Sequence, residues 1–141
     1  YSIHDLSRCK GEGDENLARF NMPLELGMAM ACRLLAKETE GRHDWLVLVP
    51  TGHQYVRFVS DLAGFDPEPH DGTEVGVVAR VMTWLASRPN TKDTPTPRQV
   101  REALPVFRAE RTRLTGEWAG SAPWRQVLLA ARRRAPISAR K

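Results

Sequence analysis

The chain has 141 residues, 41% of them hydrophobic and 27% charged, with a formal net charge of +4, which suits one globular domain or one domain with an appendage. No run approaches the roughly 20 apolar residues that span a bilayer, and no signal-peptide pattern opens the chain, so no membrane partner and a cytoplasmic location are expected. The two cysteines, Cys9 and Cys32, make neither a disulfide framework nor a metal-type pair, and His4, His43, His53 and His70 supply no close pair at ligand spacing, so no metal is expected.

The first segment, Ile3-His4-Asp5-Leu6-Ser7-Arg8, reads as a strand running into a loop that carries Asp5 and Ser7. In an open parallel sheet such a loop lies at the carboxyl rim, where ligands bind, and the two side chains suit ribose hydroxyls there. Equally, Asp and Ser are ordinary turn residues that bond their own backbone. Arg8 and Arg19 have the chemistry to meet phosphates by paired N–H bonds, or else they are solvated loop cations. The chain begins with Tyr1 inside this strand, which raises the expectation of an upstream segment. Residues 9–16 form a polar, Gly- and acid-rich loop, long enough to act as a lid or binding loop.

Next comes Arg19-Phe20-Asn21-Met22-Pro23-Leu24-Glu25-Leu26-Gly27-Met28-Ala29-Met30-Ala31, which places one carboxylate at the start of an otherwise apolar helix. Pro23 suits the first helical position, so Glu25 is expected at the third, in a helix buried on most sides. A carboxylate there either caps the helix by accepting backbone N–H bonds or serves as a functional acid. Gly27 inside a helix costs roughly 1 kcal/mol against alanine, and close approach of a backbone or a ligand would justify it.

Trp45-Leu46-Val47-Leu48-Val49 reads as a buried parallel strand. Gln54 to Ala63 has the spacing of an amphipathic helix ended by Gly64. Phe65 to Gly72 is expected to be a loop, with His70 a surface histidine, and Val75 to Leu85 a helix with Trp84 in the core. Past Arg88 the character changes: Pro89 to Pro97 reads as a proline-punctuated linker. Residues 1–88 carry 9 basic and 13 acidic side chains, a balance of −4, while 89–141 carry 12 and 4, a balance of +8. The basic part is expected to be two helices, one bearing Val100, Leu104 and Phe107 and one bearing Val127, Leu128, Ala130 and Ala131, too small to close a core alone and so packed on the α/β domain, with Trp118 and Trp124 as the packing contacts. A solvated tail, Arg132 to Lys141, has the charge to grip phosphate backbones. A Ser/His/Asp triad is not expected, because no Gly-x-Ser-x-Gly elbow presents a nucleophile.

The Asn21-x-x-x-Glu25-x-Gly27-x-Ala29 run, following a strand with an Asp-bearing loop, resembles the acid-bearing helix of nucleoside 2-deoxyribosyltransferase-like proteins. Together with Tyr1 to Arg8, Arg19 to Gly27 and Ser60-Asp61-Leu62-Ala63-Gly64, it also resembles bacterial TIR-like proteins, over roughly residues 1 to 88. The resemblance implies a flavodoxin-like three-layer α/β domain with a parallel sheet, partial here because those families place a strand, a helix and a second strand ahead of this point. It implies N-glycosidic chemistry on NAD or a nucleotide, with Glu25 at the anomeric carbon and Asp5, Ser7, Arg8, Arg19, Asn21 and Gly27 around the substrate. It also implies that assembly into a homo-oligomer accompanies activity.

The expected organisation is therefore an α/β domain over 1–88, a linker over 89–97 and a basic helical appendage over 98–141. NAD or a nucleotide enters as substrate rather than as cofactor. The alternatives are a nucleotide-sensing module without chemistry and a protein-binding module that works through its basic appendage, with nucleic acid a further partner for the tail.

Overall fold

A computed structural model describes residues 1–9, 21–36, 43–52, 66–89, 91 and 93–134. The expected helix over 54–63, the loop over 10–16, Arg19, His53, Ser60, Asp61 and the tail beyond 134 lie outside them. The described chain is mixed α/β, with three strands and four α-helices in the order β1 (Ser2–Asp5), a 3-10 turn (Leu6–Arg8), α1 (Asn21–Leu35), β2 (Trp45–Pro50), β3 (Glu68–His70), α2 (Glu74–Ala86), α3 (Pro97–Glu117) and α4 (Trp124–Arg134). It divides into two compact units, Tyr1–Arg80 and Val81–Lys141, the division falling inside α2 and ahead of the proline-punctuated segment.

In the first unit the sheet is parallel, in the order β1-β2-β3. The central strand is apolar without alternation because both its faces are covered: Leu46, Val47, Leu48 and Val49 are all buried. On one face Val47 and Val49 pack with Leu6, Cys9 and Leu26, and with the partly buried Met22, Met30 and Trp45. His4 lies beside Val47 in register. The start of β2 is tied to α1 twice, by an Arg33–Asp44 ion pair at 3.1 Å and by the Arg33 guanidinium 5.1 Å from the centre of the Trp45 ring.

Helix α1 departs from expectation in two ways. It begins at Asn21, so Pro23 is the third helical residue and Glu25 the fifth. Proline is tolerated anywhere in the first turn, where its missing N–H has no partner in any case. The helix is also not buried on most sides: Leu26 and Ala29 are buried, while Leu24, Met28, Leu34 and Leu35 are exposed. A helix crossing one face of a small sheet presents one stripe to it, here Met22, Leu26, Ala29 and Met30, and composition alone does not say which apolar residues that stripe takes.

The segment expected to be a loop at 65–72 contains β3, with Leu48, Val49 and Pro50 paired to Glu68, Pro69 and His70. Pro69 donates no hydrogen bond, and a strand that is outermost among the described residues, bonded there on one side, accommodates that. At its end the His70 carbonyl accepts from the Thr51 N–H at 2.7 Å and the Thr51 hydroxyl at 3.0 Å. His70 is thus buried in a strand, not a surface loop residue.

In the second unit, Arg88 covers the half-buried Trp84 ring at 4.9 Å, and the Thr91 hydroxyl donates to the carbonyls of Leu85 and Arg88 at the end of α2. Helix α3 opens with a capping box between Thr96 and Gln99. It packs with α4 around Leu114, Val127 and Ala130. Trp118 and Trp124, expected as the contacts that pack these helices on the α/β domain, are 48% and 70% exposed, while smaller side chains fill the α3–α4 seam. Arg132 to Arg134, expected in a solvated tail, complete α4.

Candidate functional site

The site begins at the carboxyl end of β1. Asp5 caps the 3-10 turn, its Oδ1 accepting the Ser7 N–H at 2.9 Å and also the Ser7 hydroxyl. The turn packs on the end of β2 and carries Ser7 across toward β3, where Ser7 Oγ lies 3.1 Å from His70 Nε2. His70 Nε2 is also 3.6 Å from Asp5 Oδ1, and its other nitrogen, Nδ1, accepts the Gly72 N–H at 3.0 Å. The turn reading of Asp5 and Ser7 is therefore observed, and the same bonds hold both side chains at the carboxyl rim of the sheet.

Beside them is a pocket of 280 Å³ between the turn and the first two turns of α1, lined by Asp5, Ser7, Arg8, Cys9, Asn21, Met22 and Glu25. It brings together five of the residues singled out in the sequence: Asp5, Ser7, Arg8, Asn21 and Glu25. Gly27 is not among them; it is exposed, and no described residue stands within 4 Å of where its Cβ would be. Close approach of another described part of the protein therefore does not explain this glycine. Arg19 lies outside the described residues.

Glu25 is exposed, not the buried acid expected. Past the first turn, it accepts no backbone N–H among the described residues, so the capping role drops away. Its charge reaches inward to His4, a buried histidine whose pKa is lowered by burial, partly restored by Glu25 and lowered again by His43. Ser2 Oγ sits between these two histidines, 2.7 Å from His4 Nε2 and 3.0 Å from His43 Nε2. His4 Nδ1 is buried with no hydrogen-bond partner among the described residues. Burial pushes the Cys9 thiol up, and the Asp5 charge adds to the shift, so the pocket cysteine stays a thiol.

Asp5, Ser7 and His70 resemble a hydrolase triad in composition but not in polarity. A nucleophilic serine gives its proton to histidine, and the acid holds the far nitrogen of that ring. Here Ser7 gives its hydroxyl proton to Asp5 and a backbone N–H occupies the far nitrogen. The row holds Ser7 in place and leaves its oxygen unactivated. Sequence reasoning missed His70, and no spacing pattern pointed to it; only the pairing of β3 with β2 brings it to Ser7. Among the described residues no group of three or more His, Cys, Asp or Glu could hold a metal ion, and no helix is long and apolar enough to cross a membrane. Comparison with family models, with curated proteins and with solved structures finds no match to this chain.

Proposed function

We propose that the protein cleaves or transfers an N-glycosidic bond of NAD, a nucleotide or a nucleoside, with Glu25 at the anomeric carbon, in a TIR-like or deoxyribosyltransferase-like domain of flavodoxin-like α/β architecture. The carrying observation is that Glu25, which makes no capping bond among the described residues, lines one pocket with Asp5, Ser7, Arg8 and Asn21. As the bond from the sugar carbon to the base nitrogen breaks, its electron pair leaves with the base and positive charge builds on the carbon. A carboxylate at that point either stabilises the charge or captures the carbon as an ester, which water or a second base then opens. Asp5 and Ser7 are the candidates for the ribose hydroxyls, with His70 holding Ser7 from behind. Arg8 is the candidate for a phosphate. At 280 Å³ the pocket falls just under the range of about 300–1,000 Å³ common for small-molecule sites. That supports a sugar and part of its base as the enclosed portion, with the remainder of a dinucleotide extending beyond.

A second reading is favoured by the exposure of Glu25: a nucleotide-binding module that performs no chemistry, since an acid in water stabilises a developing charge less than one in a dry pocket. One experiment separates them. Turnover of NAD and of deoxynucleosides is measured for the wild-type chain and for Glu25→Gln, with circular dichroism to show that both fold. Cleavage lost in Glu25→Gln supports the glycosidic reading, equal cleavage by both overturns it, and binding without turnover moves the function to sensing.

A further inference from the structure

The seam between α3 and α4 has an irregularity that the glycosidic reading leaves unused. Along α3, Val100, Leu104, Phe107 and Leu114 follow the four-three spacing of an apolar stripe, and the position that continues it between Phe107 and Leu114 is Arg111. An arginine in such a stripe normally meets an acid. The three acids of α3 are turned elsewhere: Glu102 pairs with Arg98, and Glu110 and Glu117 pair with Arg113. Arg111, Arg125, Arg132 and Arg133 have no ion pair among the described residues. Over 97–134 there are nine arginines and three glutamates, so no rearrangement of these helices could neutralise them.

Arg111 also joins two recesses. One, of 420 Å³, lies between Arg111 and Trp124, with Phe107 and Val127 in its wall; the other, of 690 Å³, runs along α3 past Arg108 and Thr112. Trp124 lines the first and is 70% exposed. A cation with no acid partner among the described residues, beside an exposed indole in an open groove, matches the two needs of a single strand of nucleic acid, a phosphate contact and a stacking platform. An acidic peptide would use the arginines and not the indole, and the groove of duplex DNA offers no unstacked base.

We propose that the α3–α4 seam binds single-stranded nucleic acid, with Arg111 on a backbone phosphate and Trp124 stacked on a base. The test is fluorescence anisotropy of a labelled single-stranded oligothymidylate of about twelve nucleotides with the full chain, the Trp124→Ala and Arg111→Gln variants, and unlabelled duplex and polyglutamate as competitors. Both side chains are exposed, and thermal melting of each variant serves as the folding control. Binding is expected to weaken roughly tenfold in Trp124→Ala at every salt concentration, while Arg111→Gln lowers the slope of log affinity against log salt by about one. Duplex is expected to compete poorly and polyglutamate not at all. No binding, or binding that Trp124→Ala leaves unchanged, overturns the proposal. Displacement by polyglutamate as effective as by the unlabelled single strand overturns it in favour of an acidic protein partner.

Discussion

The backbone N–H of Gly72 donates to Nδ1 of His70 at 3.0 Å, and this bond sets the tautomer of the ring. With Nδ1 accepting, the neutral imidazole carries its proton on Nε2 and donates it to Ser7 Oγ, which in turn donates to Asp5. The row runs one way, from His70 through Ser7 to Asp5. Long-range nitrogen–proton correlation spectra near neutral pH are expected to show His70 as the Nε2–H tautomer. The Nδ1–H form would reverse the row and reinstate Ser7 as a nucleophile. His70→Phe removes both bonds from a buried position and is expected to cost about 1–3 kcal/mol in urea unfolding, whereas Ser7→Ala, which leaves the Asp5 cap on the backbone, costs nearer 1 kcal/mol.

His4 makes stability depend on acid. Burial lowers its pKa from 6.5 and His43 lowers it further, while Glu25 pulls it partly back up. The fold therefore favours the neutral ring. As pH falls, the unfolded chain takes up its proton first, so the contribution is whole above about 6.5 and is lost as pH drops from there toward the lower folded value. Urea midpoints of the wild type are expected to fall between about pH 7 and pH 5, and His4→Leu is expected to flatten that slope. An unchanged slope in the variant would mean that His43 or another group carries the acid dependence.

How much of the fold and the site was legible in the sequence depends on the reach of each signal. Four consecutive apolar residues, Leu46 to Val49, identify a strand covered on both faces, and the Val75 to Leu85 periodicity identifies α2, because both patterns are local. The rim position of Asp5 and Ser7 is dictated by the strand that precedes them. β3 escapes the same reading: three residues with a proline at the centre carry no pattern, and they are a strand only because β2 pairs with them. His70 is invisible for that reason. The sequence places Glu25 near the start of α1 but leaves its exposure open, since the apolar letters around it do not say which side of α1 meets the sheet.

Gly76 is required by the start of α2. Asp71 Oδ1 accepts the Thr73 N–H at 2.9 Å and its hydroxyl at 2.6 Å, holding that carboxyl below the usual range, and the Thr73 hydroxyl then accepts the Gly76 N–H at 3.0 Å. A Cβ on residue 76 would stand 2.2 Å from Asp71 Oδ1, so an alanine must push the carboxylate off Thr73. Alanine is otherwise favoured within a helix by about 1 kcal/mol. Gly76→Ala is thus expected to stabilise an Asp71→Ala protein and to lose that gain in the wild type. Denaturation of the four proteins of the cycle measures the coupling; additive effects would show that Asp71 moves aside without loss.

Helix α3 ends on a left-handed residue that is not glycine. Ala119 has φ +49°, and the Gly120 N–H reaches back to the Thr115 carbonyl at 2.8 Å. This is the geometry of a Schellman ending, whose left-handed position is most often glycine. A Cβ there meets the carbonyl that follows it, at a cost of about 1–2 kcal/mol, against which the extra freedom of an unfolded glycine offsets roughly half. Ala119→Gly is therefore expected to stabilise the protein by about 0.5–1 kcal/mol and to raise its melting temperature by a few degrees. The residue is exposed, so little packing is given up with its methyl group. A loss of stability on Ala119→Gly would mean that the α3 ending relaxes to another conformation in solution, and with it the wall of the groove that Gly120 and Ser121 share with Arg111 and Trp124.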